Sequence, residues 1–124
     1  MTTQEIADQL VAFCRQGQYN EAQGQLYSEN AVSIEPEGSQ WGKAEGLDAI
    51  KAKAEQWAGM VEEVHSVTVS DPLVAANFFS VSMSNDVSFK GMGRMTMEEI
   101  CVYEVQDGKI VKEQFFFPNP PAQY

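Results

Sequence analysis

Three glutamates in this sequence stand on strand patterns whose other same-side members are apolar or small. Glu35 closes the alternation "AVSIE" on the side of Ser33, and Pro36 then stops the strand. Glu99 is the only charge on a side shared with Met95, Met97, Cys101, Tyr103 and Val105; Glu113 is the only charge on the side of Val111, Phe115 and Phe117. Successive residues of a strand point to opposite faces, so each of these carboxylates is directed where its neighbours are directed, toward an interior. A carboxylate in such surroundings must find a partner, keep its proton or face a wet cavity. If the three converge, mutual repulsion raises at least one pKa, which is how sites prepare a general acid or base near neutral pH. His65, the one histidine of the chain, lies on the side of Val67 and Val69 and is the expected fourth member. Ser33, Trp41, Phe79, Cys101, Tyr103, Phe115 and Phe117 would line the cavity around these groups. The plainer reading puts each glutamate at a wet strand end, makes His65 a structural histidine and Trp41 a core plug, and gives the Phe115–Phe117 run to packing.

The elements that must position these residues are legible in outline. Thr2 with Glu5 is a capping box, and Ile6, Leu10, Val11, Phe13 and Cys14 form a helical stripe that ends near Gly17. Asn20 with Gln23 repeats the capping signature for a short helix carrying Ala22, Leu26 and Tyr27, weakened by Gly24. After the strand over residues 31–35, Leu47, Ile50, Ala54 and Trp57 share one face of a third helix, with lysines and glutamates opposite, until Gly59. Everything from about Glu62 reads as strand: residues 64–69, then 79–84, a long strand over 94–105 and a closing strand over 110–117. Asp71-Pro72 and Ala76-Asn77 are turn or bulge points, Gly91 and Gly93 mark a turn, and Asp107-Gly108 is a strong two-residue hairpin signal. Helices first and an antiparallel meander after them predict a single α+β domain over residues 1–124, its helices packed on one face of a curved sheet.

Composition excludes several classes of partner. Eighteen acidic against eight basic residues give a net charge of −10, which repels nucleic-acid phosphate and anionic lipid. No basic patch compensates: Lys51 and Lys53 are the densest pair, and Glu55 follows them. The two cysteines, Cys14 and Cys101, lie far apart in apolar patterns without metal-ligand spacing, as expected of reduced intracellular thiols. No apolar run approaches the roughly 20 residues needed to cross a bilayer, and the N-terminus has no signal-peptide pattern. The expectation is a soluble cytoplasmic protein with no metal and no cofactor. On the opposite side of the sheet, Ile100, Val102, Ile110 and Phe116 would form an apolar outer face, from which a homodimer is expected.

The stretches "GQYNEAQGQLYSENAVSIEP" and "EEICVYEVQDGKIVKEQFFF", together with the helix start at Gly46 to Ile50, resemble the SnoaL-like members of the nuclear transport factor 2-like superfamily. The resemblance covers nearly the whole chain and implies a cone-shaped, strongly curved sheet wrapped around helices, with a deep central pocket and frequent dimers. The superfamily includes isomerases, dehydratases, cyclases and epoxide hydrolases, so membership leaves the activity open. The segment "AVSIEPEGS" is similar to that of the steroid isomerases in which an acidic residue before proline shuttles the proton; this implies Glu35 as general base. Those enzymes hold the dienolate with a tyrosine and a protonated aspartate, and the matching positions here are Leu10 and Cys101. Glu99, two residues from Cys101 on the same face, is the candidate for a displaced acid, with Tyr103 beside it. The epoxide-hydrolase arrangement needs an arginine between two aspartates, and Arg94 has the wrong parity to enter the pocket.

Two readings of function follow. In one, the chain is an acid–base enzyme for a small, largely apolar substrate, with Glu35 as base and Glu99 or His65 as acid. In the other, it is a non-catalytic pocket for a small ligand, a cationic one being suited to three carboxylates, or a dimerisation module whose pocket is vestigial.

Overall fold

The computed structural model describes residues 1–39 and 42–118 of the 124. Helix α1 (Thr3–Arg15) begins as its capping box dictates: the Thr2 hydroxyl accepts from the Glu5 N–H at 3.1 Å, and the Glu5 carboxylate accepts from the Thr2 N–H at 2.9 Å. Helix α2 (Tyr19–Leu26) starts one residue before Asn20, with no side-chain cap. Tyr27 then opens strand β1 (Tyr27–Ile34) instead of closing the helix, because it is the first residue whose backbone turns extended. A short strand β2 (Lys43–Glu45), unmarked by any pattern in the sequence, folds back on β1 and leads through Gly46, at φ 93°, into α3 (Leu47–Met60). A side chain at Gly46 would carry the strain of that left-handed conformation.

Strands β3 (Val61–Val69), β4 (Leu73–Ala75), β5 (Phe78–Phe89), β6 (Gly93–Gln106) and β7 (Lys109–Phe116) complete one sheet, in the order β2-β1-β7-β6-β5-β3 with β4 also on β5. The pairings are antiparallel except for β1 on β7, which is parallel. This open, curved sheet holds the helices against its inner face. Ile6, Leu10, Leu26, Ile50, Phe79, Val81, Cys101 and Ile110 are buried between the layers. Burying each large aliphatic or aromatic side chain contributes about 1.5–3 kcal/mol, so this layer carries most of the stabilisation.

Of the sheet's register shifts, two change which way the residues singled out above face. On β7, Ile110 pairs with Val105 and Lys112 with Glu104, so Val111 is an extra residue. Ile110 therefore turns inward and is fully buried, where unbroken alternation predicts an outward residue. On β3, Val64 pairs with Val87 and Ser66 with Asp86, leaving His65 as the extra residue.

Candidate functional site

The inner face of the β1–β7–β6 part of the sheet carries the glutamates, with α3 packed beside β1. Glu35 follows β1, its N–H bonded to the Gly42 carbonyl at 2.7 Å, and its side chain is only 9% exposed. On α3, Lys53 stands three residues after Ile50 and four before Trp57, so helical periodicity brings it to the inward stripe. Its ammonium group donates to the Ser33 hydroxyl, pairs with Glu35 at 3.2 Å, and lies 5.1 Å from the centre of the Phe115 ring. The Lys53 side chain is 13% exposed, so this pair is sheltered from the screening that weakens surface ion pairs.

Ser33 and Glu113 face each other in the parallel β1–β7 register. Glu113 is buried and accepts hydrogen bonds from the Tyr27 hydroxyl and from Ser33. Burial pushes its carboxyl upward, partly offset by those two bonds and by the charge of Lys53. Burial, with the charge of Glu113, also holds the Tyr27 hydroxyl well above the usual phenol range. A continuous polar chain thus runs from Glu35 through Lys53, Ser33 and Glu113 to Tyr27.

Glu99 stands on β6 beside this chain. Its carboxyl is pushed up to about 7, first by burial and next by the charge of Glu35, while a hydrogen bond with Cys101 pulls the other way. Cys101 also bonds Tyr103, whose ring stacks on Phe79 at 4.7 Å between centres and 17° between planes. Burial and the neighbouring carboxylates raise the Cys101 thiol far above its ordinary range, which makes it a packed donor to Glu99. The interior therefore holds one carboxylate in an ion pair and another poised near neutrality.

A cleft of about 550 Å³ opens between the end of α1, the end of α3 and β3, lined by Arg15, Tyr19, Trp57, Val64, Val67 and Asn85 among others. The three glutamates are not among its lining residues, but Tyr19 lies within reach of the Glu99 charge: its hydroxyl is pushed up to about 12, first by burial and then by the charges of Cys14, Glu99 and Cys101. Among the described residues no group of three or more histidines, cysteines or acids could hold a metal ion.

The profile of the SnoaL-like domain matches residues 1–117. The chain belongs to the SnoaL-like family. A protein from Mesorhizobium loti, provisionally called a SnoaL-like polyketide cyclase, is 30% identical, with a TM-score of 0.89 over 94% of this chain and all of that one. A protein from Xanthomonas campestris, described as of unknown function with a cystatin-like fold, has a TM-score of 0.80 at 16% identity, covering 94% of this chain and 91% of that one. A Catenulispora acidiphila protein with a ketosteroid isomerase-like fold, in complex with trimethylamine, has a TM-score of 0.72 at 16% identity, covering 91% and 85%. No curated protein matches the sequence. SnoaL-like and ketosteroid isomerase-like proteins include cyclases and isomerases on this one fold.

Within this SnoaL-like domain, Glu35, Glu99, Glu113, Ser33, Cys101, Tyr103 and Phe115 come together on the inner face, as their strand parity predicts. Phe79 is there too, but as core, 2% exposed and stacked behind Tyr103. Phe117 is half-buried just past the end of β7. Trp41 lies outside the described residues. His65 does not join the glutamates. The bulge breaks the alternation that pointed it inward, and its ring meets Glu63 at 3.2 Å and Ser88 at 2.8 Å. Sequence reasoning assigned Lys53 to the solvent face of α3 and Tyr27 to α2; the signal for Lys53 was its i+3 and i−4 spacing from Ile50 and Trp57. Its charge class hid it.

Proposed function

We propose that this SnoaL-like protein is an acid–base enzyme acting on a small, largely apolar carbonyl compound. Glu35 abstracts a proton next to the carbonyl, and protonated Glu99 donates one. The observation that carries this reading is the pairing of two unlike carboxyls in one interior: Glu99 pushed up to about 7 beside a Glu35 held 3.2 Å from Lys53. Lys53 supplies what the sequence lacked, a cation near the place where an enolate oxygen would develop. The compound would enter through the cleft beside Tyr19 and Trp57.

The direct test is deuterium exchange at carbon, followed by NMR, over a panel of small apolar ketones, enones and esters. Exchange catalysed by the wild-type chain, and reduced by about 10²-fold or more in both Glu35→Gln and Glu99→Gln, supports the reading. Exchange that survives both substitutions removes it.

A second reading, a non-catalytic site for a cationic ligand, draws on the trimethylamine complex of the C. acidiphila protein and on the three carboxylates here. Calorimetric binding of trimethylammonium, lost in Glu99→Gln, together with no carbon exchange on any compound, would favour it.

A further inference from the structure

We propose that Ser88, His65 and Glu63 form a second reactive site, a serine nucleophile with its base and orienting acid, on the outer face of the sheet. Glu63 and Ser88 are direct cross-strand partners on β3 and β5, which sets both side chains on the same face. The bulge at His65 lets its ring reach between them. The imidazole Nε2 lies 2.8 Å from the Ser88 Oγ, and Nδ1 lies 3.2 Å from the Glu63 Oε2. The Glu63 contact is an ion-pair approach, and a carboxylate there favours the tautomer with its proton on Nδ1. In the neutral ring this leaves the Nε2 lone pair facing the serine hydroxyl, the order of contacts that activates a serine. The His65 side chain is 21% exposed and that of Glu63 67%, and Ser88 is half-buried, so the group is open to solutes.

Arg94 is the direct cross-strand partner of Ser88 on its other side. Its guanidinium is fixed by two bonds to Asp86, at 3.0 and 2.9 Å, and the charges of Asp86 and Glu63 favour its protonated form. This places a held cation on the same face as the nucleophile, and a carbonyl oxygen attacked at Ser88 would gain its negative charge within the field of that cation. Asp86 lies near enough for the His65 charge to act on it, and its own charge is taken up by Arg94. Glu63 and His65 are open to solvent on this face, so the substrate class is a small, unhindered, activated ester.

The chemistry balances without any further reactant but water. The Ser88 Oγ attacks the carbonyl carbon while its proton passes to the His65 Nε2. Collapse of the tetrahedral adduct breaks the bond to the leaving alcohol, which takes that proton, and an acyl-serine remains. Water, deprotonated by the same nitrogen, then releases the acid and restores the hydroxyl. This site is independent of the inner-face acids and of the function proposed for them.

The test uses the full chain with p-nitrophenyl acetate and an alkyl fluorophosphonate, read by intact mass, peptide mapping and p-nitrophenol release. One adduct on Ser88 is expected, absent in Ser88→Ala, and slowed about 10²-fold or more in His65→Ala. Free imidazole should restore labelling of His65→Ala, which a merely structural histidine would not allow. Ser84, another hydroxyl of β5, serves as the internal control. Labelling of Ser88 no faster than that of Ser84, or unchanged in His65→Ala while the circular dichroism stays native, overturns the proposal. Loss of labelling in a natively folded His65→Ala without imidazole rescue also counts against a chemical role.

Discussion

Above neutral pH the Glu99 carboxylate is a burden on the folded state. Its carboxyl rises from an ordinary 4.5 to about 7 on folding, so the folded chain binds more protons than the unfolded chain between those values. Stability from this group is complete below about pH 4.5 and is lost as pH rises through 7, by about 3 kcal/mol at most. Glu113, raised for the same main reason, adds a change of the same sign. Denaturant titrations of wild type and Glu99→Gln should therefore diverge with pH, the substituted chain gaining relative stability from pH 5 to pH 8; parallel curves would refute the shift. Lys53→Met should cost about 3–5 kcal/mol at pH 7, because Glu35 would be left sheltered without its counter-charge. Adding Glu35→Gln to Lys53→Met should recover much of that loss, as a double-mutant cycle in urea would show. The three glutamates were legible because a charge among methionines and aromatics breaks a period of two. Lys53 was not, since a lysine on an amphipathic helix fits the solvent face equally well until the sheet is in place.

The helices and turns were readable wherever local chemistry fixes them. The capping box at Thr2 is made by residues three apart, and Thr2→Ala should lower stability by about 1 kcal/mol, measurable as a lower midpoint in thermal denaturation. Asp107 and Gly108, at φ 51° and 73°, make the hairpin that their identities announce. Strand β2, the parallel seat of β1 on β7 and the two bulges were not readable, because each depends on a partner distant in sequence. The bulges did the most damage to the reading: one extra residue reverses every side chain beyond it, and so His65 and Ile110 each face the side opposite to that expected.

Across the whole molecule, the outer face keeps an apolar pair after Ile110 has turned in. Ile100 and Phe116 are cross-strand partners, 47% and 49% exposed. We propose that two copies meet there, and Ile100→Asp should convert a dimer to a monomer in sedimentation velocity; a wild-type monomer would remove the idea. Ser88, whose β6 partner Arg94 is six residues along the strand from Ile100, stands roughly 20 Å from that patch. Strand β1, which leads into Glu35, and strand β7, which carries Glu113, are early and late in the chain, and the Tyr27–Glu113 bond spans 86 residues. Closing so long a loop comes late in folding. During synthesis the helices and the β3–β6 meander are made before β7, the one strand that joins β1 and β2 to β6, so a chain stopped before β7 would leave β1 and β2 without their seat on the sheet and Glu35 parted from Glu99.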